Sequence, residues 1–212
     1  MFTEERIGEI LRQLSLLRYP ETVPAIGWKM LRTTGEQRPT PSEACSGWST
    51  IPADGIWGGD CEYYAFVADL TLPETFAGHP AELSLLTGCE GQWDATNPQF
   101  SVYINGELRQ GFDVNHHELT LTECAKPGEC FSVFLSAYTG VQNFHLVFDA
   151  SLHTVDREIE GLYYDLLVPW QTACLLDQDD TQYIRLIQTL NEAVNLLDLR
   201  KPGNEAFHAS VQ

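Results

Sequence analysis

The most restrictive feature of this chain is a period of two in its apolar residues. Tyr64, Phe66, Ala68, Leu70 and Leu72 share one face of "YYAFVADLTL". Phe100, Val102 and Ile104 do the same in the next clear run, then Phe131, Val133, Leu135 and Ala137, then Phe144, Leu146 and Phe148. "ELSLL" at 82–86 and "HELTL" at 117–121 lie between them. Side chains on a strand alternate between faces, so this spacing lays one apolar face per strand. Turn chemistry separates the runs. Asn105-Gly106 suits a type I′ hairpin, in which both central residues take positive φ. Pro127-Gly128 suits the centre of a type II turn. No helical period interrupts residues 45–150. About eight short strands over that length predict an antiparallel β-sandwich of jelly-roll type.

Both ends of the chain change period. Ile7, Ile10, Leu11, Leu14 and Leu17 recur at helical spacing, which predicts a helix over 3–18 that stops at Tyr19-Pro20. Thr3 is its expected N-cap, Glu4 and Glu5 favour its first turn, and Phe2 and Ile7 stand at staple positions. Tyr183, Ile187, Leu190, Val194 and Leu197 mark a second helix over 181–198, with Asp179 and Asp180 at its start. Both stripes must be covered, by the sandwich, by each other or by a neighbour. The expected organisation is an N-terminal helix (1–20), a β-sandwich domain (21–170) and a C-terminal helix with connector (171–212).

Charge excludes several partners. The chain has 30 acidic and 12 basic residues, a formal net charge of −18. Such a surface repels nucleic-acid phosphates and anionic bilayers. No run of ~20 apolar residues spans a membrane. The N-terminus, MFTEERIGEI, carries acids where a secretory leader carries bases, so a cytoplasmic location is expected unless a leader was removed. Cys45, Cys61, Cys89, Cys124, Cys130 and Cys174 form no CxxC pair and read as reduced thiols.

One stretch resists the plain β reading. "RQGFDVNHHE", residues 109–118, crowds Gln110, Asp113, Asn115, His116, His117 and Glu118 onto the connection after the Asn-Gly hairpin, with Gly111 expected to mark a bend or bulge. That connection lies at the rim or edge of a sandwich, where binding loops are held. His116 and His117 point to opposite faces of extended backbone and do not readily share one ion. "HHELTL" is not the helical HExxH arrangement. Asp113 and Asn115 with backbone carbonyls could form a calcium site. They suit better the bonding of backbone around a tight loop, and next a polar docking surface. No GxSxG or GxxxxGK motif occurs, and no local signature proposes a carboxylate pair for glycoside hydrolysis.

"YINGELRQGFDVNHHELTLTECAKPGE" resembles the N-terminal β-sandwich of the family-38 α-mannosidases, of the microbial and yeast-vacuolar type. There a VYVNG-like hairpin precedes QGxDxNHxEVxL and a Pro-Gly turn. The matching positions are Tyr103, Asn105, Gly106, Gln110, Gly111, Asp113, Asn115, His116, Glu118, Leu121, Pro127 and Gly128. "IPADGIWGGDCEYYAFVADLTLP", with its WGG-like turn, and "AYTG" at 137–140 are similar too, so the likeness spans roughly 45–170. The 181–198 helix is similar to the family's connector toward its catalytic domain.

The resemblance implies a galactose-binding-like sandwich that serves as an ancillary domain of an α-mannosidase, an enzyme that uses zinc and an Asp nucleophile. The zinc motif there is His-x-Asp. None of the six histidines here has Asp two residues later, and no catalytic barrel fits after Gln212. No catalytic residue, metal ligand or cofactor is therefore assigned to this chain. Zinc is implied for the parent's catalytic domain alone. Gln110, Asp113, Asn115, His116 and Trp57 are the candidates for binding or domain docking. The expected partner is the parent's own catalytic domain or a neighbouring subunit of a homo-oligomer. The alternative is an independent carbohydrate-binding module that stacks sugars on Trp57, Tyr63, Tyr64 and Trp93.

Overall fold

A computed structural model describes residues 2–35, 47–52, 55–90, 98–141 and 145–211. Cys45, Trp93, Phe144 and the side chain of Phe2 lie outside the described set. The chain divides into two compact units, residues 21–154 and residues 1–20 with 155–212.

The first unit is the β-sandwich. Its strands are β1 (Thr22–Pro24), β2 (Lys29–Thr33), β3 (Ser49–Thr50), β4 (Ile56–Gly58), β5 (Tyr63–Thr71) and β6 (Ala81–Leu86). They continue with β7 (Gln99–Ile104), β8 (Glu107–Phe112), β9 (Glu118–Thr122), β10 (Cys130–Tyr138), β11 (His145–Val147) and β12 (Asp149–Thr154). Among the described residues one sheet runs β1-β12-β6-β9 and the other β3-β2-β5-β10-β7-β8, with β11 and β4 paired in a short ribbon. Every pairing is antiparallel.

The period-two residues form the core as their spacing requires. Phe66, Leu70 and Leu72 of one sheet and Leu83, Leu85 and Leu152 of the other belong to one buried cluster, together with Val102, Leu135 and Leu146. Asn105 and Gly106 both take positive φ, 52° and 84°, so the hairpin turn is of the primed kind. Gly128 has φ 65° and Glu129 N donates to Lys126 O at 3.1 Å, as the Pro-Gly type II turn demands.

Strand β6 departs from simple alternation, because Glu82 and Ser84 are buried as well as Leu83 and Leu85. Polar groups on that second face are paired, as buried polar groups must be. Thr120 Oγ1 donates to Glu82 Oε1 at 2.9 Å. The His153 ring bonds Thr22 Oγ1 through Nδ1 (2.8 Å) and Ser84 Oγ through Nε2 (2.7 Å).

The second unit is helical: α1 (Phe2–Leu17), α2 (Arg157–Cys174), α3 (Thr181–Asn195) and α4 (Glu205–Val211). The two expected stripes pack into one shared core. Ile7, Ile10, Leu11 and Leu14 of α1 cluster with Leu190 and Val194 of α3, Ile159 and Leu166 of α2 and Phe207 of α4. Arg18 is buried here and lies over the rings of Tyr163 and Tyr19, at 4.6 and 4.7 Å, which compensates its lost hydration.

Two expectations are corrected. α1 starts at Phe2, so Thr3 lies inside its first turn rather than capping it. The sandwich closes at Thr154 rather than 170, and 157–174 is helix. Asp156 starts that helix by accepting from Glu158 N and Ile159 N, both at 3.1 Å. Pro169 lies within it, where the packing of Leu166, Leu167 and Trp170 holds the helix despite the backbone donor it lacks. The short helix α4 has no counterpart in the sequence reading; its anchor is Phe207, fully buried.

Among the described residues no helix is long and apolar enough to cross a membrane. The five described cysteines are free thiols.

The packing makes a clear prediction for α1. Leu14→Ala, at a fully buried position, should cost about 2–5 kcal/mol of unfolding free energy. Leu16→Ala, on the exposed side of the same helix, should cost less than about 0.5 kcal/mol. Urea denaturation followed by circular dichroism compares them, and equal losses would contradict this assignment of the buried face.

Candidate functional site

The rim motif is built by a register shift. β7 and β8 pair as Ile104↔Glu107 and Tyr103↔Leu108, then resume as Val102↔Gln110 and Phe100↔Phe112. Arg109 is the extra residue, so the bulge is there, and Gly111 continues the strand in register with Ser101. Without that extra residue Phe112 would pair with Gln99 and face outward. With it Phe112 joins Phe100 in the core, and both are buried.

The same shift decides where Gln110 goes. Its row partner is the fully buried Val102, so Gln110 turns to the inner side at the edge of the six-stranded sheet. β9 is the edge strand of the other sheet. Gln110 Nε2 donates to Glu118 O at 3.0 Å and so ties one edge to the other. Residues 113–117 cross between these edges. Val114 plugs the core beneath them, 1% exposed.

Asp113 organises the crossing. Its Oδ1 accepts from Asn115 N and His116 N, both at 2.8 Å, while Asp113 N donates to His116 O at 2.9 Å. His116 Nδ1 lies 3.1 Å from the same oxygen. Short polar side chains bond their own backbone in this way in tight loops. Burial pushes the Asp113 carboxyl up, but the two backbone N–H donors and His116 outweigh it, and its pKa falls below the ordinary value. The His116 side chain is 72% exposed against 28% for Asp113, and Asn115 is exposed. The rim therefore presents Asn115 and His116 outward on a loop braced from within by Asp113 and Gln110.

Trp57 is not part of this surface. It is 4% exposed, its Nε1 donates to Val147 O at 3.1 Å, and its ring packs edge-on to Phe66 and Tyr64 at 5.0 and 5.3 Å. Its expected role in binding or docking is corrected to that of a core anchor, because a large ring between two apolar sheet faces gains most by complete burial. Tyr64 is half-buried and donates its hydroxyl to Gly58 O at 2.9 Å. Among the described residues no group of three or more His, Cys, Asp or Glu side chains is arranged around a common metal position.

Sequence reasoning missed Asn105 as a brace. Its N donates to Ser132 O at 2.8 Å and its Oδ1 accepts from Ser132 N at 2.9 Å, pinning the hairpin tip to β10. Asn at the first position of the turn was the available signal, since its side chain can bond neighbouring backbone as Gly cannot. Tyr138, whose ring lies 4.9 Å from that of Tyr63, was missed as well. Aromatic residues at two outward strand positions were the signal.

No protein-family model matches the chain, and no curated protein matches it. Among solved structures it is similar to a Faecalibacterium prausnitzii β-glucuronidase, with TM-score 0.46 and 13% identity over 65% of this chain and 33% of that one. It is similar also to a Ruminococcus gnavus β-glucuronidase, with TM-score 0.45 and 12% identity over 65% of this chain. The chain matches 29% of the length of that second enzyme.

Asp113 generates a pH-dependent prediction. Asp113→Ala strands the N–H groups of Asn115 and His116 and should cost about 1–3 kcal/mol at neutral pH. A depressed folded-state pKa means that the unfolded chain binds the proton more readily. The stabilisation is therefore fully present above the unfolded value of about 3.9 and is lost as pH falls through the lower folded value. Denaturation midpoints from neutral pH to pH ~3 should show parent and variant converging in acid. A constant gap would exclude the carboxylate as its source.

Proposed function

We propose that this chain is the non-catalytic N-terminal ancillary domain of a glycoside hydrolase acting on α-linked mannose. It packs against the enzyme's catalytic domain or a neighbouring subunit through the rim at Gln110–Glu118. The observation that carries this reading is the folded form of the QGFDVNHHEL motif. Gln110 and Asp113 are consumed in bracing it, while the Asn115 side chain is exposed and His116, whose Nδ1 reaches Asp113, leaves most of its ring exposed. A rigid loop with an exposed polar tip suits recognition of a protein surface, because little order remains to be acquired on binding. The sequence resemblance to the family-38 α-mannosidase sandwich supports the parent's chemistry. In this reading zinc and the nucleophile belong to the catalytic domain, this chain supplies neither, and the protein is cytoplasmic.

The carbohydrate-binding alternative is altered by the aromatic positions. Trp57 is core, Tyr64 is tied to Gly58, and Trp93 lies outside the described residues. Tyr63 remains, beside Tyr138.

Two measurements test the ancillary reading. The purified 212-residue chain should not turn over an aryl α-mannoside, with or without added zinc; activity that survives chelation and repurification defeats the proposal. In the intact enzyme, Asn115→Ala combined with His116→Ala should weaken assembly or mannosidase activity while zinc content stays constant. Normal assembly and activity would leave the rim without a docking role.

A further inference from the structure

The outer face of the six-stranded sheet carries a cleft that the rim does not use. The strand registers define its rows. Tyr63, Tyr138 and Gln99 are neighbours across β5, β10 and β7. Ala65, Ser136 and Ser101 form the next outward row, and Val67, Phe134 and Tyr103 the one after. Alternation puts all three rows on the face opposite the core set. Large side chains in the outer rows stand above the short ones between them. A cavity of about 230 Å³ opens there, lined by Tyr63, Gln99, Ser101, Ser136 and Tyr138 over the backbone of the core residues Phe100 and Ala137.

The aromatic wall is held before any ligand arrives. The Tyr63 and Tyr138 rings lie 4.9 Å apart, inclined by 34°. The turn before Tyr63 is stitched to the end of β10: Cys61 N donates to Gly140 O (2.7 Å), Glu62 N to Thr139 Oγ1 (2.9 Å) and Thr139 Oγ1 to Gly59 O (2.7 Å). Cys61 takes a left-handed φ of 55° to allow this. A wall fixed in this way lowers the ordering cost of binding.

The lining selects a ligand class. Among the described residues no Lys or Arg lines the cavity. Asp60 and Glu62 sit in the adjoining turn, and Arg32 of β2 is engaged by Glu62 at 2.7 Å. The Tyr138 phenol keeps its proton, because a hydrogen bond with Cys61 and then burial push its pKa up. Its described residues thus offer a neutral aromatic wall, hydroxyls and one amide, with no counter-charge for an anion among them. A pyranose ring complements this set, with an apolar C–H face for the aromatic wall and hydroxyls for short polar side chains. The volume is below the ~300–1,000 Å³ of sites for drug-sized ligands, which fits one ring.

We infer that this cleft binds a single neutral pyranose, its C–H face against the Tyr138 ring, which Tyr63 backs, and its hydroxyls on Ser101, Ser136 and Gln99. The inference rests on the sheet face and not on the rim or the parent's activity, so either can fail without the other.

Saturation-transfer difference NMR on the 212-residue chain tests it, with methyl α-mannoside, methyl β-glucoside and sodium glucuronate as probes. At least one neutral glycoside should receive saturation on its ring protons at millimolar concentration, and glucuronate should not. Tyr138→Ala, and separately Ser136→Leu to fill the floor, should each weaken binding about tenfold or more with an unchanged circular dichroism spectrum. Should either variant misfold, amide shifts of Ser101 and Ser136 on titration of the unaltered chain give the same reading. Silence from both neutral glycosides overturns the inference. So does undiminished binding in folded variants, glucuronate binding that matches the neutral sugars, or shifts that leave Ser101 and Ser136 unmoved.

Discussion

The nine-residue ladder between β5 and β10 is the constraint on which the sandwich depends. It runs from Thr71↔Cys130 to Tyr63↔Tyr138 without a break. This register sets Phe66 beside Leu135, Ala68 beside Val133 and Leu70 beside Phe131 on the inner face. It sets Tyr63 beside Tyr138 and Ala65 beside Ser136 on the outer one. A slip by one residue would exchange the faces, placing hydroxyls in the core and phenylalanines in water. The apolar demand of the interior therefore fixes the outer cleft as a by-product. Phe66, fully buried and stacked on Phe148 at 4.5 Å, stands where this demand is strongest.

The rim follows from the same logic by a different device. A regular β8 would leave Phe112 in solvent, and one bulged residue, Arg109, returns it to the core. The bulge also turns Gln110 inward, where its amide joins the two sheet edges. Exposed edges invite pairing with other chains, and a side-chain tie followed by a compact polar loop reduces that hazard. Asp113 then holds the loop by donors supplied almost wholly from its own backbone, so the loop's geometry is encoded within four residues. Such local coding leaves Asn115 and His116 at the tip.

The helical unit shows how two weakly determined segments become definite together. α1 and α3 each have one apolar stripe and little else to stabilise them in isolation. Their stripes meet α2 and α4 in a common core, and the helices join segments from opposite ends of the chain. Pro169 survives inside α2 because tertiary burial of Leu166, Leu167 and Trp170 offsets the lost backbone bond.

The sequence by itself determined the elements whose signal is local. Period-two alternation marked the long strands, helical spacing marked α1 and α3, and Asn105-Gly106 and Pro127-Gly128 marked their turns. The polar character of residues 110–118 and their place at a sheet edge were legible for the same reason. Tertiary structure decided the rest. Trp57 could be read as exposed or buried until the core closed around it, because an aromatic residue at the start of a Gly-rich turn suits either place. The bulge at Arg109 rather than Gly111 was chosen by the core's need for Phe112, which no glycine rule contains. The helix over 157–174 fell largely within the span read as sandwich, and only the packing of Ile159 and Leu166 into the helical core sets it apart. The pairing of Tyr63 with Tyr138 joins residues far apart in the chain, and a register between distant strands exists only once the sheet has formed.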